Sequence, residues 1–237
     1  MGRGGLALQF TPHFFDTLPS TQILACRWVE TKKYQSGDLI IAAQQTESYG
    51  RRGHAWMSPK GNFSGTFILD LKSQRDLKWL PFAMCLAIYD AASHYTKEPI
   101  GIKWPNDVLL DGAKLAGMMI EVVDKTALIG VGVNLAYAPE SNQKTAALAA
   151  CPTVDEFTAQ LLPRFAHWYD LGMAGGVAAM RGPWLEYTIH QRNQAIRARL
   201  GDGTMVEGKF IDLDPDGALI LETSQQTHVI TSAEIFS

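Results

Sequence analysis

Apolar positions along the 237-residue chain change their period several times, and each change marks an element. Ser20 and Thr21 are good helix N-caps, and in TQILACRWVETKKY, which begins at Thr21, Leu24 and Trp28 stand four apart on one helical face. DLIIAAQQ (38–45) and FSGTFILDL (63–71) read as buried strands. Between them, ESYGRRGHAWMSPKGN (47–62) combines Gly, Pro and paired Arg and predicts a loop. From Asp76, the residues Leu77, Leu80, Met84, Ile88, Ala91 and Tyr95 step at three and four. That spacing predicts an amphipathic helix with Pro81 in its first turns and an end before Pro99. Strands are expected around 100–104, 106–111, 115–123 and 126–135, with Asp-Gly at 111–112 and Asp-Lys at 124–125 as hairpin turns. Residues 139–152 read as an open surface loop, and two helices are expected near 154–170 and 174–190.

After about residue 192 the pattern shortens. Brief apolar runs alternate with GDG, DPDG and SQQ turns, the signature of a small antiparallel barrel. The expected architecture is therefore α+β. A mixed, largely antiparallel sheet packed with helices occupies residues 1–190, and a small β-barrel occupies residues 191–237.

Composition narrows the function classes. With 46% hydrophobic and 19% charged residues the chain is of ordinary globular type, and its length buries enough surface to need no disulfide or metal. Three well-separated cysteines and six histidines in no ligand spacing predict a reduced, cytoplasmic protein without a resident metal. A net charge of −3 argues against a broad nucleic-acid surface, and no apolar run reaches membrane-helix length. No secretory leader is expected from MGRGGLALQF, and no internal repeat stands out.

Against that background two stretches carry chemistry. YGRRGHAW places Arg51 and Arg52 between Gly50 and Gly53. Guanidinium forks bind phosphate and carboxylate, and glycine lets the backbone approach a ligand. A plain solvated loop explains these eight residues equally well. No Walker or G-x-G-x-x-G pattern is present. The second stretch, KWPNDVLLDGAKLAGMMIE, puts Lys103 and Lys114 among strand residues, with Gly112 and Gly117 flanking Lys114. A lysine on a buried strand must snorkel out or meet an anion, and glycines in strands often mark close approach of a ligand.

These motifs resemble those of the biotin protein ligases. KWPND is followed at the family's distance by KLAG and an acidic residue, and GVGVNL (130–135) matches the glycine-bearing strand that ends in Asn-Leu. GRRGHAWMSPKGN matches the second half of the loop G-R-G-R-x-x-R-x-W-x-S-P-x-G, and STQ (20–22) stands where the family has Ser-Thr-Asn. The final segment resembles the family's SH3-like C-terminal domain.

The resemblance implies an enzyme that joins biotin to ATP as biotinyl-5′-adenylate, then passes biotin to a lysine of a biotin carboxyl carrier domain. It implies Lys114 at the reacting carboxylate and α-phosphate, and Lys103 as a second cation. Arg51, helped by Arg52, would hold the adenylate. Thr21 and Gln45 would bond the ureido head group, with Ser20, Gly50 and Gly117 completing the biotin pocket. Asn106 and Asp107 would hold Mg²⁺ or orient the incoming lysine. Trp56 would cover the adenine or close the loop, and Asn134 would line the ATP side. Biotin, ATP and Mg²⁺ are the implied small molecules, and a homodimer is compatible with the family.

The chain also departs from the pattern. Ser48 and Tyr49 replace the first Gly-Arg of the loop, His54 replaces its later Arg, and Gln22 replaces the usual Asn. Two alternatives therefore stay open: a ligase for lipoate or another acyl group, and a non-catalytic binder of biotin or an acyl-adenylate. An acyl transferase would need a nucleophilic Cys beside the lysine, and Cys26 and Cys85 fall on apolar helical positions. The STQ helix begins by residue 20, so no operator-binding domain is expected.

Overall fold

In the computed structural model, residues 8–141 and 143–236 are described, with the side chain of Arg52 outside that description. Seven strands form one mixed sheet in the order β1-β2-β3-β7-β6-β5-β4. They are β1 (Thr11–Leu18), β2 (Asp38–Gln45), β3 (Phe63–Asp70), β4 (Ile100–Lys103), β5 (Asp107–Leu110), β6 (Ala113–Val123) and β7 (Thr126–Val133). Only the β1–β2 pair is parallel; the other five are antiparallel. The tight β5–β6 and β6–β7 turns place Asp111 and Asp124 at positive φ, as short hairpin turns require.

Strand alternation divides the sheet into two unlike faces. Phe63, Phe67, Leu69, Ile129, Val131, Val133 and Met118 point to one side. There α2 (Asp76–Ala92) and α3 (Val154–Tyr187) cover them in the main core. α3 opens on a capping box, in which Thr153 and Glu156 satisfy each other's backbone N–H groups. Its run is broken at Gly176 (φ 60°), so the two expected helices lie end to end across a kink.

The other face carries Ile40, Ile68 and Leu128 at one end, covered by Ala25 and Val29 of α1 (Thr21–Glu30). Toward the other end the same face carries Gly130, Gly132, Ser64, Thr66 and Gly117. Small residues there leave a shallow floor instead of a second core.

Strands β8 (Ala195–Leu200), β9 (Met205–Leu213), β10 (Leu219–Glu222), β11 (Thr227–Ile230) and β12 (Ala233–Phe236) form an antiparallel sheet in the order β11-β10-β9-β8-β12. β11 and β12 are its two edges, and no pairing between them closes a barrel among the described residues. Ile196, Phe210, Leu219 and Ile235 of this sheet belong to the same buried cluster as α2 and α3. Trp104 Nε1 donates to the Gly217 carbonyl at 3.1 Å, tying the β4–β5 turn to the C-terminal sheet. Among the described residues no helix is long and apolar enough to cross a membrane.

Two segments differ from expectation. TPHFFDTL forms an edge strand that no sequence pattern announced. The segment 139–152, expected as an open loop, turns back onto β6: Lys114 N donates to the Lys144 carbonyl at 2.8 Å, and Ala146 N donates to the Lys114 carbonyl at 2.9 Å. Leu148 is buried as a result.

Candidate active site

One row of paired residues crosses the uncovered face. Lys103 opposes Asp107, Asp107 opposes Gly117, Gly117 opposes Gly132, and Gly132 opposes Ser64. Directly opposite residues share a face. The register therefore brings Lys103 and Asp107 of the KWPND stretch to the edge of the glycine floor. A bulge between Val108 and Leu109 shifts the pairing near Lys114. Lys114 Nζ reaches to 2.9 Å from Asp107 Oδ1, both side chains being largely buried. The contact has ion-pair distance, and Asp107 Oδ1 has no other partner among the described residues. Gly117 makes room for the pair, since a Cβ there would lie 3.0 Å from Lys114 Cε and 3.4 Å from Asp107 Oδ1.

The opposite end of the floor is neutral and polar. Ser20 caps α1, its hydroxyl accepting from Gln22 N at 3.2 Å. That cap aims the first turn of α1 at β2. Thr21 donates to Gln45 Oε1 from both its backbone N (2.7 Å) and its hydroxyl (3.1 Å), and Gln45 Nε2 donates to Ser58 at 3.2 Å. The Thr66 hydroxyl lies 2.9 Å from Thr21 Oγ1 and 3.0 Å from Gln22 Oε1. A rigid ligand head with alternating donors and acceptors would find fixed partners here.

Residues 46–57 arch over the floor. Trp56 packs against Gly132, where an added Cβ would come within 2.3 Å of the indole. The Lys114 ammonium sits 5.6 Å from the Trp56 ring centroid, within cation–π range. Arg51, on a short 3-10 turn (Arg51–Gly53), donates to Asn106 Oδ1 at 2.7 Å and to Ser232 Oγ at 3.0 Å. Asn106 is held in turn by donating to the Met118 carbonyl at 2.6 Å. Gly50 is extended (φ −109°), and its N–H donates to the His54 carbonyl at 2.7 Å, closing the loop on itself. Tyr49 donates from its hydroxyl to Glu121 Oε2 at 3.2 Å. Burial first, and then the Glu121 carboxylate, push the Tyr49 phenol up to about 12, so it stays a protonated donor at neutral pH.

The fold thus gathers Thr21, Gln45, Gly50, Arg51, Trp56, Asn106, Asp107, Lys114 and Gly117 on one face. Ser20 serves the helix cap. Lys103 is half-buried opposite Asp107, close enough to the buried His190 to help hold that ring neutral. Asn134 is 2% exposed, and its amide donates to the Lys114 carbonyl at 3.3 Å, so it braces the backbone of the lysine. Sequence reasoning missed Asn62, whose Oδ1 accepts from the backbone N of Leu135, Ala136 and Tyr137 and so shapes the turn after β7. It also missed Thr66, and it quoted Glu121 only as the acidic residue after KLAG, with no role. Gly130 and Gly132, quoted only as a motif, form the floor itself. Cys85 is buried in the main core with its thiol pushed up by burial, and Cys26 is raised by burial and Glu30. Neither is an activated nucleophile.

Comparison with known proteins agrees with this geometry. Residues 14–135 match the Biotin/lipoate A/B protein ligase family, and residues 193–236 match the Biotin protein ligase C terminal domain. The chain is 35% identical over 217 residues to a biotin--[acetyl-CoA-carboxylase] ligase of Paracoccus denitrificans, covering 83% of this chain and 89% of that one. It is 30% identical over 217 residues to the ligase of the same name from Mycobacterium tuberculosis, covering 84% and 78%. In fold it is similar to a biotin protein ligase from Aquifex aeolicus solved with biotin and ATP. The TM-score is 0.82 at 21% identity, over 95% of this chain and 97% of the other. Two matched family segments, in order and on the two sheets, leave one assignment: the chain belongs to the biotin/lipoate A/B protein ligase family.

Proposed function

We infer that the chain works as an ATP-dependent biotin–protein ligase, and we propose the following division of labour among its residues. Biotin lies along the glycine floor with its ureido ring at Thr21 and Gln45 and its carboxylate at Lys114. The carboxylate attacks the α-phosphate of ATP, an O–P bond forms, and pyrophosphate leaves. Lys114 neutralises the carboxylate and the α-phosphate as they approach, the kind of preorganised charge that dominates such reactions. Lys103 supplies the second cation, Arg51 and Arg52 hold the adenylate, and Trp56 closes the loop above it. Gly50 and Gly117 let backbone and floor approach the ligand, and Asn134 braces the ATP side.

In the second step a neutral lysine amine attacks the acyl carbonyl, AMP leaves, and an amide remains. Asp107 and Asn106 stand where the amine would enter, and Asp107 can accept its proton. The acceptor is a biotin carboxyl carrier domain, a reading supported by relatives that are named as ligases of acetyl-CoA carboxylase. A cytoplasmic location and a homodimer go with this reading. Among the described residues no group of three His, Cys, Asp or Glu could hold a metal ion. Mg²⁺ would enter with the ATP phosphates, with Asp107 the carboxylate nearest to meet it. It would neutralise phosphate charge.

The observation that carries the reading is the separation on one floor of a fixed neutral polar pair, Thr21–Gln45, from the largely buried cation Lys114 at the Asp107 end. That layout matches an amphipathic acid with a polar head and an anionic tail. The test incubates the protein with α-labelled ATP, Mg²⁺ and either biotin, lipoate or octanoate. Adenylate made with biotin alone is expected. Product only with another acid would retain the mechanism and change the substrate. Biotin binding without any adenylate would favour a non-catalytic binder, the outcome that the Ser48–Tyr49 departure makes worth testing.

A further inference from the structure

Tyr49 stands where the family's loop carries its first Arg, and its hydroxyl meets the Glu121 carboxylate of β6 at 3.2 Å. The same oxygen, Oε2, accepts from Gln22 Nε2 at 2.9 Å, and Gln22 donates also to the Leu128 carbonyl at 3.2 Å. Gln22 is itself a departure from the family's Asn, and it is 4% exposed. Its Oε1 hangs over Gly130, where a Cβ would lie 2.8 Å away, and faces the Thr66 hydroxyl at 3.0 Å. Thr66 Oγ1 continues to Thr21 Oγ1, and the Thr21 backbone N donates to Gln45 Oε1 at 2.7 Å. An unbroken chain of hydrogen bonds therefore runs from the ligand loop, through a carboxylate and an amide, to the pair assigned to the biotin head group. The two unusual residues flank its carboxylate.

We propose that Tyr49, Glu121 and Gln22 form a positioning unit in which one carboxylate fastens the ligand loop and orients the head-group pocket. This rests on the reading of the floor as the biotin site. The longer Gln22 side chain spans from α1 to Glu121, and the phenol replaces what an arginine would make an ion pair. A neutral donor holds the loop less strongly than a guanidinium on the same carboxylate. The chain accordingly closes on its adenylate with a weaker clasp than the family's motif provides.

The experiment measures biotin affinity, release of preformed biotinyl-adenylate, and the single-turnover rate of adenylate formation at saturation. Tyr49→Phe should weaken biotin binding and speed release, each about three- to tenfold, while the saturated single-turnover rate stays within about twofold. Glu121→Ala should do the same more strongly, and adding Tyr49→Phe to it should change nothing further, because the two share one contact. Tyr49→Arg should slow release below that of the unmodified chain, and only when Glu121 is present. Should Glu121→Ala fold poorly, Glu121→Gln serves, since it keeps the shape and removes the charge that Tyr49→Arg needs. Unchanged release in Tyr49→Phe, or independent multiplying effects of Tyr49→Phe and Glu121→Ala, would overturn the proposal. If the unmodified chain makes no adenylate, the biotin reading fails separately. The clasp is then read as amide exchange in residues 47–57 of the ligand-free protein, which Tyr49→Phe must accelerate and which, if unchanged, refutes it.

Discussion

Gly117, Gly130 and Gly132 are held in the candidate site by the ladders of β6 and β7, with partners on both sides. Beyond the backbone bonds of Thr46 and Glu47 to Leu18 and Pro19, residues 48–56 above them meet the rest of the molecule through side chains: Tyr49 on Glu121, Arg51 on Asn106 and Ser232, and Trp56 on Gly132. Backbone hydrogen bonds among residues 50–54 close within the loop. A floor made of ladder bonds moves only if the sheet does. A loop that bonds to itself can lift as a unit once a few side chains let go. Substitutions in the two regions should therefore differ in kind. Floor changes remove chemistry, and loop changes alter how long a ligand stays.

The largest effect is expected at Lys114, the floor's cation. Lys114→Ala should lower adenylate formation on the order of 10²–10³-fold, the usual cost of losing one preorganised charge partner. The fold should persist, because the β5–β6 ladder and Asn134 engage the backbone of residue 114 and not its side chain. Turnover with α-labelled ATP checks the first part and circular dichroism the second. Equal turnover would move the reacting carboxylate away from Lys114.

Much of the floor is legible in the sequence, for a physical reason. Strands 38–45, 63–70 and 126–133 are apolar runs bounded by turns, and hairpin chemistry at 111–112 and 124–125 fixes the register between their neighbours. Once register is set, Lys103, Asp107, Gly117 and Gly132 must share a face. What stays hidden depends on distant partners. TPHFFDTL alternates weakly, with Phe14 exposed and His13 bonded to Asp38, and it is a strand only because β2 lies beside it. Thr145 pairs with Lys114 across a long stretch of sequence, and nothing local in 139–152 announces that bridge. Glu121 reads as a solvent-facing strand residue unless the loop is folded over it.

The C-terminal sheet repeats the contrast, because it joins the main core by burial and the loop by a surface hydrogen bond. At the buried joint, His190 is 2% exposed and packs on Phe210 at 5.8 Å, with neither ring nitrogen hydrogen-bonded to the protein. Burial, with Lys103 second, holds its pKa down at about 4. Below the usual value near 6.5 the unfolded chain takes up a proton that the folded chain refuses. This contribution to stability is thus full above about pH 6.5 and is lost as pH falls toward 4, by roughly 3 kcal/mol. His190→Phe should flatten that part of the stability–pH curve in denaturant titrations. An unchanged slope in the variant would place the acid sensitivity elsewhere.

Gly132→Ala sets floor against loop directly, since its methyl would meet Trp56 at 2.3 Å. In a rigid core such overpacking costs about 1–3 kcal/mol, and in a chain of this size each kcal/mol lowers Tm by about 2–4 °C. If the loop yields, the indole moves and most of that cost disappears from Tm. The expected result is a Tm shift smaller than about 2 °C, below the rigid-core cost, with faster adenylate release. A full drop in Tm with unchanged release would show the loop to be as fixed as the floor.

The smallest effect, and the one whose sign is most informative, is expected at Ser232. Its hydroxyl accepts from Arg51 Nη2 at 3.0 Å on the exposed turn between β11 and β12. In the proposed mechanism Arg51 turns to the adenylate, so the contact with Ser232 belongs to the ligand-free state. Removing a bond made only before binding favours the bound state, because a ligand shifts an equilibrium by its differential interaction with the two forms. Ser232→Ala should therefore tighten biotinyl-adenylate about two- to threefold, the equivalent of roughly 0.5 kcal/mol for one exposed hydrogen bond. Stability should stay within about 0.5 kcal/mol. Equilibrium binding of the adenylate to the two proteins reads the sign. Weaker binding in the variant would mean that Ser232 stays on Arg51 in the closed loop. The C-terminal sheet would then be a working wall of the site, and the division between a ladder-held floor and a loosely held loop would end at residue 51.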